Sequence, residues 1–206
     1  MVDSKLSFSA HLRSVAARAN SRLGLLRRAA RVLDCRGMLA VYHGFVRPLL
    51  EYAPLVWMGA APTNLEHLNR VQRRALHILG PNILLQSLEA RRTVAALTFV
   101  YKLLGQPGPP LLRSMVLPLV VHHAAPVTRR QCQQSASHPF QLENVLPPGA
   151  PNYLRRAFPY NIINTWNAQP SYLFTKPPSP KGLQSFKANV HYHLRRSQWL
   201  WATDSL

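Results

Sequence analysis

Arg70, Arg73, Arg74 and His77 recur at the spacing that gathers side chains on one face of a helix. Guanidinium groups are planar, permanently charged forks that match phosphate oxygens, so three of them at i, i+3 and i+4 suit a row of phosphates. A solvated polar face is the plainer reading of the same pattern, because charge stripes are common on surface helices. No other chemistry is as well placed. The acids Asp3, Asp34, Asp204, Glu51, Glu66, Glu89 and Glu143 stand singly, whereas metal-dependent phosphoryl transfer needs two or three converging carboxylates. There is no P-loop and no glycine-rich dinucleotide loop. Cys35 and Cys132 are far apart and lack companions, which leaves neither a disulfide framework nor a zinc knuckle and fits a reducing compartment. His191 and His193, one residue apart, fall on different faces of a helix, and His122–His123 lies in a proline-flanked apolar segment, so neither pair sets up a metal site. No cofactor is expected.

The stripe sits in Glu51–Gly80. Thr63 and Glu66 have the spacing of a capping box, with Pro62 just before them, which predicts a helix beginning near Asn64. Leu65, Leu68, Val71, Ala75, Leu76 and Leu79 share the face opposite the arginines, and Gly80-Pro81 predicts the end. Charge over the whole chain weighs on how that stripe is read. Lys and Arg number 25 against 7 Asp and Glu, a net charge of +18 over 206 residues, while 47% hydrophobic residues exclude a simple disordered basic tail. A folded, strongly basic chain normally has a polyanionic partner, nucleic acid being the commonest. Apolar stretches are broken by Pro, His or Arg well short of the ~18 residues that a spanning helix requires, so no membrane partner is expected.

Elsewhere the sequence is mostly helical in pattern. From Ser9 onward Leu12, Val15, Ala16, Ala19, Leu23, Leu26, Ala30 and Leu33 form a core-facing arc, with Arg13, Arg28 and Arg31 pointing away and Arg18, Arg22 and Arg27 flanking it; Ser7 or Ser9 would cap this helix. Leu39, Tyr42, Phe45, Val46, Leu49 and Leu50 predict a mostly apolar hub helix, disturbed at Pro48 and Pro54. Tyr52 and Trp57 read as packing residues rather than base-stacking platforms. A further helix starts near Ser87 and stops at Gly105. Prolines then recur through Gln106–Pro151, which reads as a linker draped over the surface or disordered. A smaller module resumes at Asn152, where Phe158, Tyr160 and Trp166 lie near Arg155 and Arg156, a pattern able to grip single-stranded RNA. Ser179-Pro180 would start a last helix with Leu183, Phe186, Val190 and Leu194 on one stripe. No internal repeat and no alternating strand pairs are visible.

Several of these segments together resemble the C-terminal part of the reverse transcriptase of LINE-type, non-LTR retrotransposons of the jockey/CR1-like kind. VDSKLSFSAHL (2–12) is similar to the segment after that family's palm. YHGFVRPLLEYAPLVW (42–57) and LEHLNRVQRRALHILG (65–80) look like its thumb, and FPYNIINTWNAQP (158–170) with SFKANVHYHL (185–194) like its tail. The resemblance implies that the metal-binding aspartates and the endonuclease lie upstream, so no catalytic residue carries over and Mg2+ belongs only to a complete parent polymerase. It also implies the thumb's role, which is to close over a template–primer duplex and hold its backbone.

The expectation is therefore an all-α chain: residues 1–8 a remnant of the palm-to-thumb connection, 9–105 an antiparallel, thumb-like helical bundle, 106–151 a Pro-rich linker, and 152–206 a small helical module. Its expected work is non-catalytic binding of nucleic-acid backbone, as RNA–DNA duplex or RNA, through Arg70, Arg73, Arg74 and His77, with Arg13, Arg28 and Arg31 next and Arg155 and Arg156 last. A palm domain in cis or trans is a further expected partner, and the chain reads as a truncated copy. The other readings are a decayed or host-adopted remnant serving as a protein-interaction module or without function, and a mitochondrially targeted basic protein, suggested by the Arg- and Ala-rich, acid-poor N-terminus. A nuclear or cytoplasmic location fits better than a mitochondrial one.

Overall fold

The computed structural model describes residues 8–81, 83–106, 108, 110, 138–143, 149–156, 160–174 and 177–203, without the side chains of 153, 154 and 196–203. Across them the chain is all-α, with isolated bridge residues at Leu142 and Pro170 and no strand. Residues 1–7, most of the expected linker, Cys132, the His122–His123 pair and Phe158 lie outside the described residues. Two compact units divide the chain, Met1–Arg92 and Thr93–Leu206, so the division falls inside a helix and not at Gly105, where the composition changes.

In the first unit α1 (Ser9–Ala29) buries Leu12, Val15, Ala16, Ala19, Leu23 and Leu26, the core of the predicted arc. Ser9, one of the two expected caps, does not cap it: Phe8 occupies the N-cap in a left-handed conformation, and Ser9 is already helical and accepts at Oγ from Arg13 Nη2 at 3.0 Å, while Ser7 lies outside the described residues. Asp34 caps α2 (Cys35–Val41), its Oδ1 accepting from the Gly37 N–H at 2.8 Å. The predicted hub helix continues as a single π turn (Tyr42–Val46), α3 (Arg47–Leu50) and, after Ala53 in the left-handed region, α4 (Pro54–Trp57). Pro48 accounts for the π turn, since its ring would strike the Gly44 carbonyl of a regular helix; the Arg47 N–H instead reaches back to Tyr42 O. Met38, Tyr42, Val46 and Leu50 are buried, but Phe45, expected among them, is 50% exposed, and Tyr52, expected to pack, is 75% exposed.

The helix that carries the stripe, α5 (Pro62–Leu79), starts two residues before Asn64 and has no side-chain cap. Proline supplies the reason: its fixed φ and missing N–H suit the first helical position, which moves Thr63 inside the helix and leaves the capping box unformed. Leu68, Val71, Ala75 and Leu79 are buried; Leu65 and Leu76 are only half-buried, and Gln72 goes under instead. That buried amide is fully used, donating from Nε2 to Gln86 O at 2.9 Å and accepting at Oε1 from the Leu88 N–H at 3.2 Å. It thereby satisfies an otherwise orphaned donor at the start of α6 (Leu88–Gly105). Ser87, near which this helix is expected to start, caps α6, its Oγ accepting from the Ala90 N–H at 3.2 Å. One apolar cluster joins α1, the α2–α3 run, Trp57, α5 and Leu88, with α1 packed along α5 and α3.

The second unit contains the remainder of α6, α7 (Asn152–Arg156), α8 (Tyr160–Asn167), a 3₁₀ turn (Ser171–Leu173) and α9 (Leu183–Thr203). Its centre is aromatic: Tyr101 stacks on Phe186 at 4.3 Å between ring centres, and Trp166 meets Phe174 edge-on at 4.9 Å. Residues 138–143, expected to be part of a surface linker, are instead built into this core. His138 is fully buried and stacks on Phe174 at 3.8 Å, and Leu142 is buried too. Backbone burial there is tolerated because side chains satisfy it. Asn167 both accepts from the Leu142 N–H and donates to its carbonyl, at 2.9 and 2.7 Å, and the Trp166 indole donates to Phe140 O.

Candidate nucleic-acid interface

On α5 the side chains of Arg70, Arg73, Arg74 and His77 are all exposed, as the helical spacing predicts. They are not equivalent. Glu66, one turn before Arg70, forms an ion pair with Arg70 at 3.7 Å and with Arg73 through Nη2, and accepts from Asn69 Nδ2 at 3.2 Å. The Arg73 hydrogen bond first, then that from Asn69, hold the Glu66 carboxyl below its ordinary range. Both arginine side chains nevertheless keep about 60% of their surface in water. Two guanidinium groups therefore share one carboxylate and remain open to solvent.

Arg74 lies at the edge of the stripe nearest α1, where its Nη1 donates to Asn20 Oδ1 at 3.1 Å. Asn20 is the only amide side chain in α1, and helical spacing places Arg13 and Arg27 on its flank. This one contact makes the basic edges of two helices continuous. Arg13, Arg28 and Arg31 are exposed, with Arg28 in the last turn of α1, where a cation also complements the helix C-terminus, and Arg31 in the turn that follows. No acidic residue occurs within α1. Its outer surface is positive along the whole length of the helix.

Other arginines of the first unit have structural partners. Glu51 accepts from Arg47 Nε at 3.1 Å and from Arg91 Nη2 at 2.9 Å, tying α3 to the start of α6; burial raises its carboxyl despite the neighbouring Arg47. Tyr42, buried beside Glu51, has its hydroxyl pushed up to about 12, by burial first and that carboxylate second. Arg92 is 6% exposed, its guanidinium 5.9 Å from the centre of the Trp57 ring, and burial lowers its pKa. Trp57 itself is buried and donates to Tyr52 O at 3.0 Å. It is a packing residue.

Arg155 and Arg156, the remaining candidates, belong to the second unit and are exposed on α7. Arg155 Nε already donates to Ala150 O at 3.1 Å. Of the three aromatic residues expected beside them, Trp166 is fully buried among Phe174, Phe186 and His138 and offers no platform, Tyr160 is half-buried, and Phe158 lies outside the described residues. Spacing on its own gave no sign of the roles of Asn20 and Glu66. The one available signal was the lone amide in a helix whose other surface residues are almost all basic or small.

Among the described residues no group of three His, Cys, Asp or Glu side chains converges to hold a metal ion, and no helix is long and apolar enough to cross a membrane. Three comparisons complete the description. No protein-family model, no curated protein and no solved structure matches the chain.

Proposed function

We propose that this protein binds the sugar–phosphate backbone of nucleic acid, in the manner of a reverse-transcriptase thumb holding its template–primer duplex, and that it does so without catalysis. The observation that carries the reading is the Arg74–Asn20 contact, which extends the α5 stripe onto the acid-free outer face of α1. Charge alone would favour any polyanion; a ridge of guanidinium groups spanning two packed helices is a surface on which successive phosphates can lie. The resemblance of 42–57 and 65–80 to a LINE-type thumb supports the same assignment and makes an RNA–DNA duplex the ligand of choice. Contacts of this kind set register without reading sequence.

Titration of the chain with an RNA–DNA duplex across a salt series tests this. Micromolar or tighter affinity that weakens steeply with salt is expected, together with no nucleotide incorporation by the chain alone. Absence of binding at low salt would sink the proposal. The pairing of Arg70 and Arg73 with Glu66 favours a second reading, in which the stripe is a solvated, self-neutralised face on an interaction module. Replacing Arg70, Arg73 and Arg74 by Gln separates the two, since only the first reading predicts lost nucleic-acid affinity with an unchanged helical spectrum.

A further inference from the structure

We infer that Glu66 is a built-in competitor for the phosphate-binding stripe, a carboxylate held where a nucleic-acid phosphate would otherwise sit and displaced when the duplex binds. This rests on the backbone-binding reading above and assigns a regulatory role within that same site. The geometry has three parts. A single carboxylate engages Arg70 and Arg73 together, as a bridging phosphate oxygen would. Asn69 donates to its second oxygen at 3.2 Å, which fixes the carboxylate over the stripe. Both arginines are exposed and Glu66 is half-buried at the surface, where ion pairs contribute little, so a doubly contacting phosphate can displace this one. The lowered pKa of Glu66, caused first by the Arg73 hydrogen bond, agrees, because it favours the anionic form.

The cost falls on affinity and not on folding. In the resting protein Arg70 and Arg73 are partly neutralised, leaving Arg74 and the α1 edge as the first point of contact. Engagement of the inner two arginines then requires Glu66 to swing aside. The carboxylate thus sets a threshold, and weak or isolated anions are rejected while a continuous backbone, contacting Arg74 at the same time, is admitted.

The test uses the full chain. Glu66→Gln keeps the side-chain shape and the Asn69 contact but removes the charge, and Glu143→Gln on the other unit removes the same charge as a control. With an RNA–DNA duplex, E66Q should bind about three- to tenfold tighter than the parent and lose affinity more steeply with salt, by about one unit of slope. E143Q should behave as the parent, and adding Arg70→Gln and Arg73→Gln to E66Q should erase the gain. Equal behaviour of E66Q and E143Q would overturn the competitor role while leaving duplex binding intact. A parent chain that fails to bind at low salt overturns the functional reading, and the inference with it.

Discussion

His138 shows how much a single side chain can commit in this protein. The Phe140 N–H donates to its Nδ1 at 3.3 Å, so the ring proton sits on Nε2 and is donated to Trp166 O at 3.0 Å. Both nitrogens are used only in the neutral form. Burial lowers the histidine's pKa, with the Trp166 carbonyl opposing that shift. The sign follows: an unfolded chain takes up this proton near pH 6.5 and the folded one resists it, so the stabilisation is full above pH ~6.5 and declines as pH falls below that. Thermal melts of the parent between pH 7.5 and 5.5 should show that decline. His138→Gln, which can still accept from Phe140 and donate to Trp166, should show a flatter profile, with His43 left to titrate in both. An equally steep profile would assign the decline elsewhere. At this scale the sequence was only partly legible. The exposure of Arg70, Arg73, Arg74 and His77 follows from spacing, but the partners of the three arginines do not: Glu66 fits a capping box on paper as well as it fits an ion pair, and only the early start of α5 at Pro62 decides between them.

At the scale of elements, close backbone approach is the feature that pattern reading could not supply. The C-terminal end of α6 lies so near the 177–182 segment that a Cβ added at Gly105 would stand 2.7 Å from the backbone of Pro178 and Ser179, and one at Gly182 would collide with the Tyr101 hydroxyl. Tyr101 also donates to Pro177 O at 3.3 Å. Gly105→Ala should therefore destabilise the second unit by about 1–3 kcal/mol, since neither backbone can yield cheaply; chemical denaturation checks this, and a neutral effect would mean that the contact relaxes. In the sequence Gly105 read only as a helix stop. Helix existence was otherwise readable almost throughout, because buried residues recur at helical spacing in α1, α5 and α9. The irregular run from Met38 to Leu50 was readable in part. Its buried residues Met38, Tyr42, Val46 and Leu50 recur every four residues, and in a regular helix that spacing drifts by about 40° per step. The widened turn ahead of Pro48 takes up part of the drift. Residues 138–143 escaped altogether, because proline-rich composition says nothing about the Asn167 amide that clips them into the core from 25 positions away.

For the molecule as a whole, the net charge of +18 was legible from composition, and its uneven placement was not. Arginines on Glu51 and over Trp57 are internal fastenings, whereas those on α1 and α5 face outward. Predicting which would be which required knowing the fold. The outward group carries a consequence for the free protein. Along α1 the exposed Arg18 and Arg22 stand one turn apart with no carboxylate between them, Arg27 and Arg28 crowd the last turn, and like charges one turn apart repel by a few tenths of a kcal/mol. Added salt screens that repulsion over a shorter distance than the length of the helix. The protein's melting temperature should accordingly rise with salt from low ionic strength, over the same range in which the proposed grip on a duplex would fade, and differential scanning calorimetry would detect a flat or falling trend if the repulsion is absent. The ion atmosphere and the nucleic acid would then be rivals for a single task, quieting a helix that is under strain from its own charge.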